Sequence, residues 1–459
     1  MKISRTLVSS TMIAALGGLL FGFDTAVISG TTDALTEVFR LNQPWLGIER
    51  GGFWLGLTVA SALVGTVTGA LAAGWPADRR GRRTTLMWMA VLYFVSAVGS
   101  ALAWDWISFL FFRWLGGLAV GGASVVSPMY IAEISPAAWR GRLVAVQQFN
   151  IVVGILLAYL SNYIVALTDL GENEWRWMFG VEAAPAAAFF ILLFTTPRSP
   201  RWLVAQNRIG EARSNLARLG TDQGSIEEEI HVIRQSLEVE RDALREPLFQ
   251  RKYRRPILLA IAIAIFNQLS GINALIYYGP AVFKMAGALE DSALLQQTVI
   301  GLTNLVFTMA ALAVIDHFGR RRLMIVGSIG YIVSLATTAW AFYTYGTQFT
   351  GTGGLIVLAS LMVFIASHAF GQGAVIWVFI SEIFPNRVRA RGVALGCFTH
   401  WIMNAVISWT FPVIAQVSGA HAFAFYAAMM VLQLVWVLLW MPETKGVPLE
   451  EIQRSQNVA

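Results

Sequence analysis

Phe266-Asn267-Gln268-Leu269-Ser270-Gly271-Ile272-Asn273-Ala274-Leu275-Ile276-Tyr277-Tyr278-Gly279-Pro280 closes an apolar run that begins near Ile257. Adjacent amides, a hydroxyl and a third amide do not belong on a helix that faces lipid. Amides in hydrocarbon cost free energy unless something pairs with them. Ser270-Gly271 and Gly279-Pro280 are places where such a helix can loosen. Polar groups on an interrupted transmembrane helix point to a binding site near the middle of a membrane. Amides both donate and accept, so the cargo they suit is rich in hydroxyls.

Composition supports a membrane setting. The 459 residues are 56% hydrophobic and only 13% charged, whereas a soluble chain carries about 25% charged residues. The 41 glycines and 17 tryptophans fit helices packed in lipid, with small residues at contacts and aromatics at the interfaces. Cys397 is the single cysteine, so no internal disulfide can form. The net charge of +6 does not point to nucleic acid, because the basic residues cluster in short loops between apolar runs. The first run, from about Val8 to Ile28, is too long for a signal core and lacks a small-residue cleavage site; a retained first helix is expected.

Twelve runs are long enough to span, at roughly 17–25 residues each. They cover 8–30, 51–74, 85–104, 107–130, 143–165, 177–196, 256–280, 296–315, 323–343, 354–380, 393–416 and 422–441. Only Arg40, Arg50, Arg176 and Lys284 fall in the odd-numbered connections, and Arg113 lies inside a span; the other basic residues sit on the opposite side. By the positive-inside rule both termini are expected in the cytoplasm.

The expected organisation is a first six-helix bundle over 1–196, a cytoplasmic linker over 197–255, a second bundle over 256–441 and a tail over 442–459. In the linker, Ser225-Ile226-Glu227-Glu228 reads as a capping box, and Ile226, Ile230, Ile233 and Leu237 follow at helical spacing. Short amphipathic helices are expected there, either as a solvated connector or as part of a gate.

The halves repeat. Asp78-Arg79-Arg80-Gly81-Arg82-Arg83 follows span two and Asp316-His317-Phe318-Gly319-Arg320-Arg321 follows span eight. Glu133-Ile134-Ser135-Pro136, with Arg140 and Arg142, follows span four; Glu382-Ile383-Phe384-Pro385, with Arg389 and Arg391, follows span ten. Gly22-Phe23-Asp24 up to Gly30 matches Gly271-Ile272-Asn273 up to Gly279 in spacing. Parallel six-helix repeats imply a central cavity and rocking halves. The acids and bases just beyond the helix ends suit ion pairs that form and break as a gate; arginines that merely set topology are the alternative.

Three ionisable residues fall within spans: Asp24, Arg113 and Glu182. Each costs about 2.5–3.5 kcal/mol at mid-bilayer if unpaired. Asp24 and Arg113 can neutralise each other, as a static pair or as a proton site whose partner swings away. Gln148, Asn267, Gln268, Asn273, Asn304, Trp377, Trp401 and Asn404 also fall in spans. Their amides match sugar hydroxyls and their indoles offer a flat face for the C–H side of a sugar ring, while interhelical hydrogen bonding is the other use for each taken singly. His368 and His400 lie in spans too, and neither is taken as the proton carrier. Thr350-Gly351-Thr352-Gly353-Gly354 lacks the lysine of a phosphate loop. No nucleotide motif, metal cluster or nucleophile triad is present, so no cofactor and no enzyme activity are expected.

Along essentially its whole length the chain resembles the sugar porter branch of the major facilitator superfamily. The resemblance rests on the two Asp-to-Arg repeats and on Tyr130-Ile131-Ala132-Glu133-Ile134-Ser135-Pro136. It also rests on Pro197-Arg198-Ser199-Pro200-Arg201-Trp202-Leu203, Gln268-Leu269-Ser270-Gly271-Ile272-Asn273 and Pro442-Glu443-Thr444-Lys445-Gly446. It implies an all-α fold of twelve transmembrane helices in two pseudo-symmetric bundles. It implies sugar ligands at Gln148, Gln268, Asn273, Asn304 and Trp377, with Trp401 and Asn404 lining the same region and Phe21, Tyr277 and Tyr278 as cavity aromatics. Phe23-Asp24-Thr25-Ala26-Val27-Ile28-Ser29-Gly30 is similar to bacterial proton–xylose symporters, with Arg113 and Glu182 as the companions of the acid. The implied gate comprises Asp78, Arg82, Arg83, Glu133, Arg140, Asp316, Arg320, Arg321, Glu382, Arg389 and Glu443. Asn267 stands where many relatives have Gln, His400 where they have an amide, His368 where they have an aromatic, and Arg198 where the motif has Glu.

The reading is a transporter in the plasma membrane that imports a pentose or hexose with a proton by alternating access. The partners are a monosaccharide, a proton and the lipid bilayer, with no nucleic acid and no metal. An uncoupled sugar carrier, an inositol-like polyol carrier and a sugar sensor remain as alternatives. The sequence is silent on oligomeric state, and a monomer is compatible with every feature.

Overall fold

The computed structural model describes residues 4–44, 51–243, 246–346, 348–349, 351–385 and 387–445, with the side chains of 51, 239–243 and 316 excepted. Among these residues there is helix and connection but no strand. The first part runs through α1 (Arg5–Val27), α2 (Thr32–Val38), α3 (Gly51–Ala72), α4 (Gly74–Arg80), α5 (Arg82–Ala101), α6 (Trp106–Ile134) and α7 (Arg140–Ala166). The sixth apolar run is divided into α8 (Glu174–Gly180) and α9 (Ala183–Leu193). The linker holds α10 (Pro200–Ala205), α11 (Ile209–Leu219) and α12 (Ile226–Ala243). Then come α13 (Arg254–Leu269), α14 (Ile272–Met285), α15 (Glu290–Phe318), α16 (Arg320–Tyr345), α17 (Gly351–His368), α18 (Ala374–Ile383), α19 (Arg389–Val417) and α20 (Gly419–Leu439).

Among the described residues, eleven segments are long and apolar enough to cross a membrane. The eleventh apolar run, α19, is 29 residues long and carries Thr399, His400, Asn404, Ser408 and Thr410.

Local chemistry sets the breaks. Asp105 Oδ1 accepts the Ser108 N–H at 2.7 Å while Ser108 Oγ accepts the Asp105 N–H at 3.1 Å. This capping box explains how the third and fourth spans turn in so few residues, and those Ser108 bonds hold the Asp105 carboxyl below its usual range. Gly271 has φ +81°, a left-handed conformation open mainly to glycine, and it separates α13 from α14. Gly279-Pro280, the other expected loosening point, stays inside α14. There the glycine lies tight against Gln297. A π turn over Ala369–Gly373 joins α17 to α18.

The chain forms two compact units. One comprises Met1–Ile28, Ser61–Ser161 and Asp169–Asp242; the other comprises Ser29–Ala60, Asn162–Thr168 and Ala243–Ala459. The core of the first gathers Leu7, Ala14, Leu86, Tyr93, Val126, Tyr130 and Phe189 from α1, α5, α6 and α9. The linker has packing of its own. Trp202, Leu203, Ala212, Leu216, Ile226, Ile230 and Ile233 make an apolar cluster of their own, and the Trp202 indole donates to the Asp78 carbonyl at 2.8 Å. In the second unit Lys284 bridges Asp33 and Glu290 at 2.7 Å each, and the Trp409 indole donates to the Phe53 carbonyl at 3.1 Å.

Candidate functional site

Within the first unit, α1, α6 and the α8–α9 turn bring together the three ionisable residues of the spans. Arg113 Nη1 meets Asp24 Oδ1 at 2.6 Å, and Nη2 reaches Asp24 Oδ2 at 3.3 Å and the Asp24 carbonyl at 3.1 Å. Both side chains are 2% exposed, so the pair is shielded from water and leaving either charge without the other is costly. The guanidinium lies 5.2 Å from the centre of the Phe179 ring. Glu182 is buried, with Asp24 and Arg113 as its charged neighbours. Its Oε1 has no hydrogen-bond partner among the described residues.

In the second unit the broken α13–α14 segment builds an amide chain. Asn273 Nδ2 donates to Gln268 Oε1 at 2.6 Å, and Gln268 Nε2 donates to Asn267 Oδ1 at 2.9 Å. The His400 ring nitrogens lie 3.2 and 3.3 Å from the same Gln268 Nε2. Around His400 stand Trp377 and Trp401, edge to face at 5.0 and 5.2 Å. Trp377 is 36% exposed, so an indole face remains open beside the amides.

Farther along α14 and α19, Asn404 Nδ2 donates to Tyr277 Oη at 3.4 Å, Ser408 Oγ donates to Asn404 Oδ1 at 3.0 Å, and Tyr278 Oη donates to the Ser408 carbonyl at 2.7 Å. Asn304 is half-buried and accepts from Thr308 at 3.3 Å. His368 Nδ1 shares a hydrogen bond with Tyr331 Oη at 2.6 Å. Phe21 and Gln148 are half-buried residues of the first unit.

The repeated Asp-to-Arg and Glu motifs form two matching clusters, one per unit. In the first, Arg82 pairs with Glu133 at 2.9 Å and with Asp78 at 3.0 Å, and Arg83 donates to the Thr196 carbonyl at 2.9 Å. Ser199 Oγ donates to the second oxygen of Glu133. In the other, Arg320 pairs with Glu382 at 2.9 Å, Arg321 donates to the Leu438 carbonyl at 2.6 Å, and Thr444 Oγ1 donates to the second oxygen of Glu382 at 2.6 Å. Glu443 accepts the backbone N–H groups of Arg320 and Arg321 at 2.9 and 3.1 Å. Arg389 reaches the Phe384 carbonyl at 3.4 Å. Arg140 is exposed and lines a cavity of about 620 Å³ with Glu133, Arg201 and Glu229. The Asp316 side chain lies outside the described residues.

Ser199 and Thr444 were not among the residues singled out from sequence. The signal was present in Pro197-Arg198-Ser199 and Pro442-Glu443-Thr444, which align as proline, charge, hydroxyl.

The sequence profile described as "Sugar (and other) transporter" matches residues 10–455. The D-xylose-proton symporter of Escherichia coli K12 is 38% identical, covering 98% of this chain and 96% of its own length. The arabinose-proton symporter of Bacillus subtilis is 34% identical, covering 96% of this chain and 93% of its own. The glucose transport protein of Synechocystis is 35% identical over 96% of this chain and 95% of its own. Among solved structures, the xylose transporter XylE from E. coli in an inward-open conformation superposes with a TM-score of 0.86 at 36% identity, over 98% of this chain and 99% of its own. These likenesses, together with the paired clusters, place the twelve helices in the major facilitator fold. The chain belongs to the sugar transporter family of that superfamily.

Proposed function

We propose that this protein imports a monosaccharide, a pentose or a hexose, together with a proton by alternating access across the plasma membrane, with both termini in the cytoplasm. The buried Asp24–Arg113 pair with Glu182 beside it carries the reading. Two carboxyls share one guanidinium, so the trio is neutral with one proton bound and carries one net negative charge without it. A charge that changes by one in a dry site gives a conformational equilibrium that a proton can bias.

In this reading Asp24 is the proton site and Arg113 and Glu182 tune it. Sugar hydroxyls engage Gln148, Asn267, Gln268, Asn273, Asn304, His400 and Asn404, and Trp377 and Trp401 cover the C–H face. Phe21, Tyr277, Tyr278 and His368 shape the surrounding wall. The Arg82–Glu133 and Arg320–Glu382 clusters hold the cytoplasmic gate. The xylose- and arabinose-proton symporters among the relatives support the coupling. The halves 1–196 and 256–441 act as the moving bodies, joined by the 197–255 linker.

The test replaces Asp24 by Asn. Gradient-driven accumulation of labelled sugar is expected to vanish while sugar counterflow persists. Full concentrative uptake by that variant would exclude the proposed coupling.

A further inference from the structure

Tyr93 is one of the largest fully buried side chains of the protein, 0% exposed, and its phenol oxygen has no hydrogen-bond partner among the described residues. A buried hydroxyl without a partner costs free energy and calls for a reason. Its surroundings supply one. Tyr93, Ser96, Ala97 and Ser100 share one face of α5 and are all 2% exposed or less. That face meets the proton site, since a Cβ placed on Gly116 of α6 would lie 2.4 Å from Ser96 Oγ and 3.1 Å from Asp24 Oδ1. α5 also packs on α8 and α9, which flank Glu182.

The acidic groups whose charges act on the Tyr93 phenol are Asp24 of α1 and Glu182 of the α8–α9 turn. From α6 the facing charge is Arg113, already engaged by Asp24. Arg176 of α8 is turned onto the carbonyls of Ala101 and Ala103 at 2.8 and 2.9 Å. Thus the same buried cluster contains two donors without an acceptor among the described residues, Tyr93 Oη and Arg113 Nε, and an acceptor without a donor, Glu182 Oε1; of the two donors only the phenol is uncharged and independent of the guanidinium.

We propose that Tyr93 is a positioning residue of the proton site, its phenol donating a hydrogen bond to the Glu182–Asp24 carboxyl pair when Arg113 lets go of Asp24. The inference rests on the proton-coupled reading above. When the guanidinium leaves, the ionised carboxylate loses its principal donor, and the phenol is the uncharged donor at hand on a neighbouring helix. A donor to the ionised form favours that form, so the phenol sets the proton affinity at which the site reloads. It neither adds nor removes charge, and no proton is transferred to it.

Tyr93→Phe keeps the ring and its packing. Reconstituted protein would be assayed for sugar counterflow and for the pH dependence of gradient-driven uptake. Counterflow is expected to match the parent, while the midpoint of the pH profile moves upward by about one unit, a tenfold gain in proton affinity. In a Glu182→Gln background the same substitution should add less than half that shift, because the two groups act on one another. An unmoved profile, with Asp24→Asn inactive in accumulation, overturns the role of Tyr93 and leaves the proton site standing. Loss of counterflow in Tyr93→Phe would make the phenol structural and also overturn it. If Asp24→Asn still accumulates sugar, the coupling itself fails and this role falls with it.

Discussion

The two Arg–Glu clusters are near copies, and their sharpest difference is a reversed charge. Each opens on a glycine of the same geometry, Gly81 with φ 90° and ψ 155° and Gly319 with φ 87° and ψ 157°. Each then sets an arginine against a glutamate whose other oxygen takes a hydroxyl, Ser199 in one and Thr444 in the other. Each sends the next arginine to a helix-end carbonyl. The residue before the hydroxyl is Glu443 in one cluster and Arg198 in the other.

Glu443 accepts the first N–H groups of α16, the favourable placement of a carboxylate at a helix N-terminus. Arg198 has nothing to accept with. Its guanidinium lies 5.7 Å from the centre of the Trp202 ring, which Arg208 also approaches at 5.6 Å, and it repels Arg83. The shared part is therefore the Arg–Glu–hydroxyl triad, and the helix cap is an addition found in one cluster. Of the two clusters, the one with Glu443 is therefore tied down more firmly than the other.

The comparison breaks most sharply at Glu443. Replacing it with Ala removes a cap and the acceptor of several N–H groups, and should cost about 2 kcal/mol. A thermal unfolding midpoint in detergent that does not fall would deny the cap any weight. Ser199→Ala and Thr444→Val test whether the triads are equivalent. Each should cost about 1 kcal/mol, and a difference of more than twofold between them would show that the likeness is only geometric.

Arg198→Glu asks whether the missing cap can be restored. The new carboxylate gains the start of α5 and relieves Arg83, while the Trp202 stacking is lost, for a net gain of about 0.5 kcal/mol. Slower sugar counterflow should accompany the higher midpoint, since a firmer gate opens less often. A lower midpoint would mean that stacking outweighs capping.

The smallest effect concerns the linker. The exposed Arg213–Glu227 bond, the largest influence on that carboxyl, holds it below the ordinary glutamate value of 4.5. Its contribution is therefore present above that value and is lost as the pH falls below it. Amide protection factors in α12 should fall slightly below pH 4.5 in the parent and not in Glu227→Gln.

Much of this architecture is legible in the sequence because hydrocarbon is an unforgiving solvent. Twelve apolar runs and the one-sided placement of arginines leave few alternatives. Asp24, Arg113 and Glu182 stood out for the same reason, as charges where none are free to stay unpaired. Less visible was which polar residue meets which. Asn273 and Asp24 share a glycine frame, yet Asp24 sits in unbroken α1 against Arg113 while Asn273 follows the Gly271 break and donates to Gln268. Spacing alone cannot tell a pausing helix from a continuous one, and Pro280 stays inside α14. Tyr93 drew no notice in the sequence, since the acids whose charges reach its phenol lie on α1 and the α8–α9 turn.

The polar residues of α19 bear on how the protein is made. A segment carrying His400, Asn404 and Ser408 enters lipid at a higher cost than an all-apolar one. The partners of those groups, Gln268, Tyr277 and Tyr278, lie on α13 and α14, which are synthesised more than a hundred residues earlier. Helices already in the bilayer when α19 emerges can lower that cost by pairing with its polar groups. The hydrogen bonds of the amide cluster are thus expected to favour completion of the topology as well.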